Sequence, residues 1–187
     1  MDGKIEVFDN FLSKEDFAKI KELPLKLDWK FLDHKVKPLD NHCQFVHLFY
    51  NKDNTDKKSS FYNLLSPLID KMNIKVLTRI KANLTLKSNS IEQYEMHIDE
   101  SNILGTLENF ASNENNNELQ QVINNSFNNL KTAIYYLNTN NGKTVFENGQ
   151  EVQSKENRLV VFSGKLYHAG TTHTDTPYRS VINLNYF

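Results

Sequence analysis

His97-Ile98-Asp99 sets an imidazole and a carboxylate two residues apart. In an extended strand successive side chains alternate faces, so the two would point the same way and converge on one point. A third ligand has to come from elsewhere in the chain. His168 is the best placed, because it follows an apolar stretch, Leu159-Val160-Val161-Phe162, and a turn at Ser163-Gly164. Two histidines and one carboxylate occupy one face of an octahedron and leave open positions, a ligand set suited to ferrous iron that activates oxygen. Taken alone, H-x-D is a short pattern, and an ordinary strand histidine bonded to a surface acid would look the same.

Other residues compete for the same chemistry. His173-Thr174-Asp175 is a second H-x-D, but it lies in a threonine-rich stretch just before Pro177, where alternation is not enforced. It reads as a hairpin tip with solvated residues. His42 and His47 fall on opposite faces of one strand and cannot both serve one centre, and His34 has no recognisable partner. Cys43 reads as a small buried hydrophobe.

The elements that must position these groups follow from periodicity. Ile5 to Phe8 alternates as a strand. Ser13 precedes Lys14-Glu15-Asp16 as a helix N-cap, with Phe17, Ile20, Leu23 and Leu27 at near-helical spacing, broken by Pro24. His42 to Tyr50 reads as a strand, 51–59 as a polar loop, and Phe61 to Met72 as a helical stripe interrupted at Ser66-Pro67. From there the period changes to two, with strands over Val76–Thr85 and Tyr94–Asp99. A loop over roughly 101–117, within an asparagine-rich insertion spanning about 101–130, reads equally as a mobile cover or as a solvated insertion, and a short helix follows it. The last third is β: Lys131–Asn138, Thr144–Phe146 before the turn signal Asn148-Gly149, Arg158–Ser163, Tyr167–Thr171 and Arg179–Phe187. Short strands with regular turns predict a sandwich or jelly roll.

Composition sets the class. The 187 residues, 39% hydrophobic, suit one soluble globular domain over 1–187, with supporting helices and strands in 1–75 and the β core in 76–187. No apolar run approaches a membrane span and no signal peptide is evident at the amino end. A single cysteine excludes an internal disulfide, so a reducing, cytoplasmic setting is the expectation. The net charge of −1 divides unevenly: residues 1–90 balance at +4 and residues 91–187 at −5. An acidic carboxyl-terminal half argues against a nucleic-acid partner. The sequence leaves the oligomeric state open.

In combination these features resemble the Fe(II)/2-oxoglutarate-dependent dioxygenases, close to the prolyl 4-hydroxylase-like branch. The resemblance rests on Tyr94-Glu95-Met96-His97-Ile98-Asp99, Ile134-Tyr135-Tyr136-Leu137-Asn138, Gly142-Lys143-Thr144-Val145-Phe146, and His168 with Arg179 eleven residues later. The opening Val7-Phe8-Asp9-Asn10-Phe11-Leu12-Ser13 is also similar, so nearly the whole chain is covered. The resemblance implies a mainly β fold with flanking helices (α+β) around a double-stranded β-helix, a cupin-like jelly roll. It implies Fe(II) held by His97, Asp99 and His168, with 2-oxoglutarate and O2 as cosubstrates and ascorbate in support.

It further implies that the distal carboxylate of 2-oxoglutarate pairs with Arg179 and bonds the Tyr136 hydroxyl, and that Tyr94 stands near the iron or the substrate mouth. A planar guanidinium suits a buried carboxylate, and Asn183 shares the strand face of Arg179, so it is expected to line the cosubstrate pocket. The implied reaction is hydroxylation of an unactivated C–H, with succinate and CO2 as co-products. The substrate would be a peptidyl residue such as proline, with a free amino acid or small metabolite as the alternative, and a non-catalytic cupin-like metal-binding module as a different class. The turn Asn141-Gly142-Lys143, where the family usually has paired glycines, and the insertion after Asp99 depart from the pattern.

Overall fold

A computed structural model describes residues 4–36, 42–54, 58–101, 105, 120–122, 125 and 128–187. The loop expected over 101–117 lies outside the described residues, apart from Ser101 and Gly105. The amino-terminal part contributes strand β1 (Glu6–Phe8), helix α1 (Lys14–Lys21), β2 (Lys30–Leu32), β3 (Gln44–Asn51) and α2 (Ser66–Met72). The remainder is β4 (Leu77–Leu86), β5 (Lys131–Tyr136), β6 (Lys143–Phe146), β7 (Glu151–Gln153), β8 (Arg158–Ser163), β9 (His168–Gly170) and β10 (Tyr178–Tyr186). Among the described residues no helix is long and apolar enough to cross a membrane.

Local signals act as the sequence predicts. Ser13 caps α1: its hydroxyl oxygen accepts from the Asp16 backbone N–H at 3.0 Å. Pro24 turns the following residues into a single 3-10 turn, Leu23–Leu25. Pro67 stands in the first turn of α2, where its missing N–H costs nothing. The hairpin between β6 and β7 turns at Asn148-Gly149, with Gly149 at φ +81, a conformation that favours glycine.

Seven strands form one antiparallel sheet in the order β1-β8-β5-β10-β4-β3-β2, and three form a second in the order β7-β6-β9. Bridges Gln93↔Thr171 and His97↔His168 lay the segment before Asp99 along β9, extending the smaller sheet. The two sheets make the expected double-stranded β-helix. The expected strand over Tyr94–Asp99 is not formed as a continuous ladder. Between its two bridges this segment uses one more residue than β9 does, and that offset interrupts the pairing as a bulge would.

The register of the larger sheet separates two interiors. Ile80, Ala82, Ile182, Leu184, Ala133, Tyr135 and Leu159 lie on one face and pack with Phe17 and Ile20 of α1 and Leu65 and Leu68 at α2. The other face turns toward the smaller sheet. There Ile134, Tyr136, Val160, Phe162 and Val181 meet Phe146, Val152 and Leu166 in a second apolar cluster. Cross-strand pairing aligns Arg79, Lys81, Asn83 and Thr85 of β4 with Asn185, Asn183, Val181 and Arg179 of β10, so a polar stripe runs beside that cluster. The helices stiffen this stripe from behind by covering the outer apolar face.

Two isolated expectations change. His173 is fully buried, not solvated at a hairpin tip, because residues 139–142 pack over it: a Cβ at Gly142 would lie 3.2 Å from the His173 Cβ. Cys43 is exposed just before β3, not buried.

Leu68 is fully buried between α2 and the sheet. Leu68→Ala is expected to lower the unfolding free energy by about 2–5 kcal/mol, measured by urea titration. A loss below about 0.5 kcal/mol would show that α2 does not support the sheet.

Candidate metal and anion site

His97, Asp99 and His168 offer one ligand atom each, all within 4.8 Å of one another. The bridge between the 93–97 segment and β9 brings the two histidines together, with ring centroids 4.9 Å apart. Each imidazole is oriented in the same way. Nδ1 of His97 bonds the Glu95 carbonyl and Nδ1 of His168 bonds the Leu166 carbonyl, both at 3.2 Å. A carbonyl can only accept, so Nδ1 carries the proton and Nε2 presents a lone pair, as a neutral metal-ligating histidine requires. Phe162 packs edge-on against His168 at 4.8 Å and further fixes that ring. Burial, and then the neighbouring His168, lower the pKa of His97, which favours the neutral form.

Asp99 is set by residues of the polar stripe. Its Oδ2 accepts from the side-chain amides of Asn183 and Asn185, both at 3.3 Å. Its Oδ1 lies 3.3 Å from an Arg79 guanidinium nitrogen and 3.8 Å from Nε2 of His97. One oxygen is thus occupied by amides while the other faces the imidazole. Burial alone would raise this carboxyl's pKa, but His168, Arg79, Lys81 and His97 together outweigh it and hold Asp99 well below the usual carboxylate range. Arg79 is itself held by Asn185 Oδ1 and Glu100, each at 3.1 Å. Two neutral imidazoles and one ionised carboxylate fit a divalent metal of the first transition row, and the donor set favours ferrous iron.

Arg179 opens β10 on the same face. It is buried, and its Nε donates to the Ser154 hydroxyl at 2.8 Å while another nitrogen reaches the Thr144 hydroxyl at 3.5 Å. Among the described residues no carboxylate pairs with it. Burial lowers its pKa, and the aromatic hydroxyls of Tyr136 and Tyr94 are the nearby groups that oppose this. One cavity is lined by His97, Asp99 and His168 together with Thr144, Arg179 and Asn183. A buried cation without a carboxylate partner, opening on the His97, Asp99 and His168 cluster, has the chemistry to receive an anionic group.

The remaining expected residues fall around this frame. Asn183 lines the same cavity, and its side-chain oxygen is buried without a hydrogen-bond partner. Tyr136 is fully buried; its hydroxyl bonds Thr144 at 2.7 Å, and Arg179 lies 5.6 Å from its ring. It reaches the cavity through Thr144. Tyr94 packs beside Arg179: a Cβ at Gly170 would lie 3.4 Å from the Tyr94 ring and 3.6 Å from the Arg179 guanidinium. Lys35 stands 3.6 Å above the Tyr94 ring and His42 packs against it at 4.8 Å. The Asn141-Gly142 turn brings its backbone against Arg179, and a Cβ at Gly142 would lie 3.0 Å from the Arg179 Cδ. Glycine is needed there for that close approach.

Arg79, Lys81, Asn185 and Ser154 escape a motif-based reading, and Thr144 lies in a quoted motif without being assigned to the site. The signal for the first three was present in the alternation of Arg79, Lys81, Asn83 and Thr85 in β4 and of Asn183 and Asn185 in β10 with apolar residues between them. His42, His34 and His47 take no part in the triad. His34 bonds Asp33 at 2.7 Å, and His47 is tied to the Asp28 carbonyl and the Ser59 hydroxyl.

No family model matches the sequence, and no curated protein matches it. Its shape, however, matches solved structures. A 2OG-Fe(II) oxygenase family oxidoreductase from Burkholderia pseudomallei shares 14% identity over 97% of this chain and 84% of its own, with a TM-score of 0.61. A prolyl hydroxylase from Trichoplax adhaerens, in complex with a hypoxia inducible factor peptide fragment, shares 16% identity over 98% and 83%, at 0.59. A Pseudomonas putida prolyl-4-hydroxylase shares 11% over 97% and 91%, at 0.57. The chain therefore has the fold of the 2OG-Fe(II) oxygenases, the double-stranded β-helix that its sequence motifs predict.

If Arg179 is kept for a ligand, removing it from the empty protein relieves an uncompensated buried charge. Arg179→Met is expected to leave the unfolding free energy in urea unchanged or to raise it by about 1–4 kcal/mol. A fall of more than about 2 kcal/mol would identify Arg179 as a structural residue.

Proposed function

We propose that this protein is an Fe(II)- and 2-oxoglutarate-dependent oxygenase, with residues 1–187 acting as one catalytic domain that hydroxylates an unactivated C–H. The observation that carries this reading is the buried guanidinium of Arg179, without a carboxylate partner among the described residues, facing the cavity of His97, Asp99 and His168. Nε2 of both histidines and Oδ1 of Asp99 would hold the metal. Bound there, ferrous iron supplies the activation of O2 that couples decarboxylation of 2-oxoglutarate to substrate oxidation.

The chain's own residues then bind, orient and shield. Arg179, with the hydroxyls of Thr144 and Ser154, would receive the distal carboxylate of 2-oxoglutarate, and Tyr136 would fix the Thr144 hydroxyl for that contact. Asn183 and Asn185 hold Asp99 turned toward the imidazoles. The apolar wall of Ile134, Phe146, Phe162 and Val181 excludes water from the inner side of the site. Retention of a carboxylate at Asp99 favours hydroxylation over halogenation, which needs an open ligand position there.

A peptidyl residue such as proline is the proposed target, supported by the fold shared with prolyl hydroxylases of which one is bound to a peptide. A free amino acid or small metabolite is the competing substrate class. A cytoplasmic setting accords with the lone, unpaired cysteine.

Purified protein supplied with Fe(II), 2-oxoglutarate, ascorbate and a pool of proline-containing peptides is expected to form succinate and to add one oxygen to specific peptides, read by mass spectrometry. Both products are expected to fall about a hundredfold or more in Asp99→Ala and His168→Ala. Succinate formed without any peptide gaining an oxygen would move the target to free small molecules. No succinate from an iron-loaded protein would favour a non-catalytic cupin-like metal-binding module.

A further inference from the structure

A second cavity, of about 400 Å³, opens on the outer side of the metal-ligand triad, where His97 and Asp99 line it together with Lys35, Arg79, Lys81 and Tyr167. It is of the size that takes a small ligand or one residue of a longer one. Its lining is cationic. Among the described residues it carries Lys35, Arg79 and Lys81 against Asp99 and its neighbour Glu100, and Arg79 lies at ion-pair distance from both of those acids. With a divalent metal in place, and the two charges of 2-oxoglutarate set against Arg179 and that metal, Lys81 keeps a positive charge that no carboxylate among the described residues pairs with.

Lys81 is the residue that most needs explaining. It sits on a central strand, paired with Asn183 of β10 and Leu48 of β3, and its side chain lines both the inner and the outer cavity. Among the described residues no carboxylate lies within ion-pair distance of its ammonium. Burial lowers its pKa, then Arg79 lowers it further, while Asp99 and Glu100 act in the other direction. A lysine held on the inward face of a sheet without a salt-bridge partner adds nothing to packing that a leucine would not add at lower cost. Exposed Tyr167, directly before the ligand His168, offers a hydroxyl at the rim.

We propose that Lys81, with Lys35 beside it, forms a carboxylate-recognition subsite for the substrate, so that the oxidised carbon belongs to a molecule carrying a carboxylate next to the metal. This rests on the oxygenase reading and narrows its substrate class. The carboxylate has two sources, an acidic side chain beside the target residue of a peptide or the α-carboxylate of a free amino acid. In either case a charge-assisted bond to Lys81 orients the substrate and leaves Arg179 to the cosubstrate.

The test uses protein loaded with Fe(II) and saturating 2-oxoglutarate without oxygen, so that Arg179 is occupied. Two probe pools are passed over it: randomised pentapeptides acetylated and amidated at their ends, and free amino acids mixed with their amides. Bound members are identified by mass spectrometry for the wild-type protein and for Lys81→Gln. The proposal expects carboxylate-bearing members of one pool to be enriched about tenfold over their amide counterparts, and expects Lys81→Gln to abolish that enrichment. The enriched pool names the source. No enrichment in either pool, or equal enrichment in Lys81→Gln, overturns it.

Thermal stabilisation by Fe(II) with 2-oxoglutarate is recorded on the same samples. If wild type is stabilised and shows no carboxylate preference, only the subsite fails. If wild type is not stabilised, the oxygenase reading beneath it fails. If Lys81→Gln alone loses the stabilisation, Lys81 belongs to the cosubstrate site and the proposal is wrong.

Discussion

A guanidinium taken out of water without an acid beside it is expensive, and the architecture around Arg179 is arranged to hold one. Its nitrogens meet two hydroxyls, on Ser154 and Thr144, and no carboxylate among the described residues. Hydroxyls satisfy hydrogen bonds but leave the charge unbalanced. A fold selected only for stability would place a hydrophobe on this strand. The rest of the inner face becomes intelligible once an anion is expected there: small or polar neighbours at Gly142, Thr144 and Ser154, a buried Tyr136 behind them, and a metal-ligand triad on the same cavity.

The two charged ends of the cavity depend on one sheet. β10 supplies Arg179 to one end and Asn183 and Asn185 to Asp99 at the other, all on one face by strand parity. β4 lies beside it and supplies Arg79 and Lys81 in register. Because α1 and α2 pack on the opposite face, their apolar contacts keep the polar stripe flat against the smaller sheet. The triad closes from the other side, where β9 and the 93–97 segment bring His168 and His97 together. The site is thus a seam between two sheets: backbone carbonyls of their own segments orient the two histidines, and amides from the facing sheet orient Asp99.

Much of this was legible in the sequence. Period-two patterning located most of the strands, Ser13 and Pro24 bounded the first helix, His97, Asp99 and His168 stood out by type and spacing, and Arg179 was singled out by the family resemblance. What sequence could not supply was cross-strand partnership. The alternation in Arg79-Ile80-Lys81-Ala82-Asn83 marks a strand with one polar face, and polar faces ordinarily meet solvent. Only the register with β10 turns that face inward and makes Arg79 and Lys81 part of the site. His173 was misplaced for a related reason: a threonine-rich run before a proline reads as solvated, but the Asn141-Gly142 turn, far away in sequence, covers it. The segment before Asp99 reads as a strand because its residues alternate, while its one-residue offset from β9 is visible only in three dimensions.

The central claim is that metal and 2-oxoglutarate meet in this cavity. The most direct measurement is the visible spectrum of the protein with Fe(II) and 2-oxoglutarate in the absence of oxygen. The account predicts a charge-transfer band that requires both additions, is lost in Asp99→Ala, and needs more 2-oxoglutarate to appear in Arg179→Ala. A folded, iron-binding protein that gives no such band would contradict it.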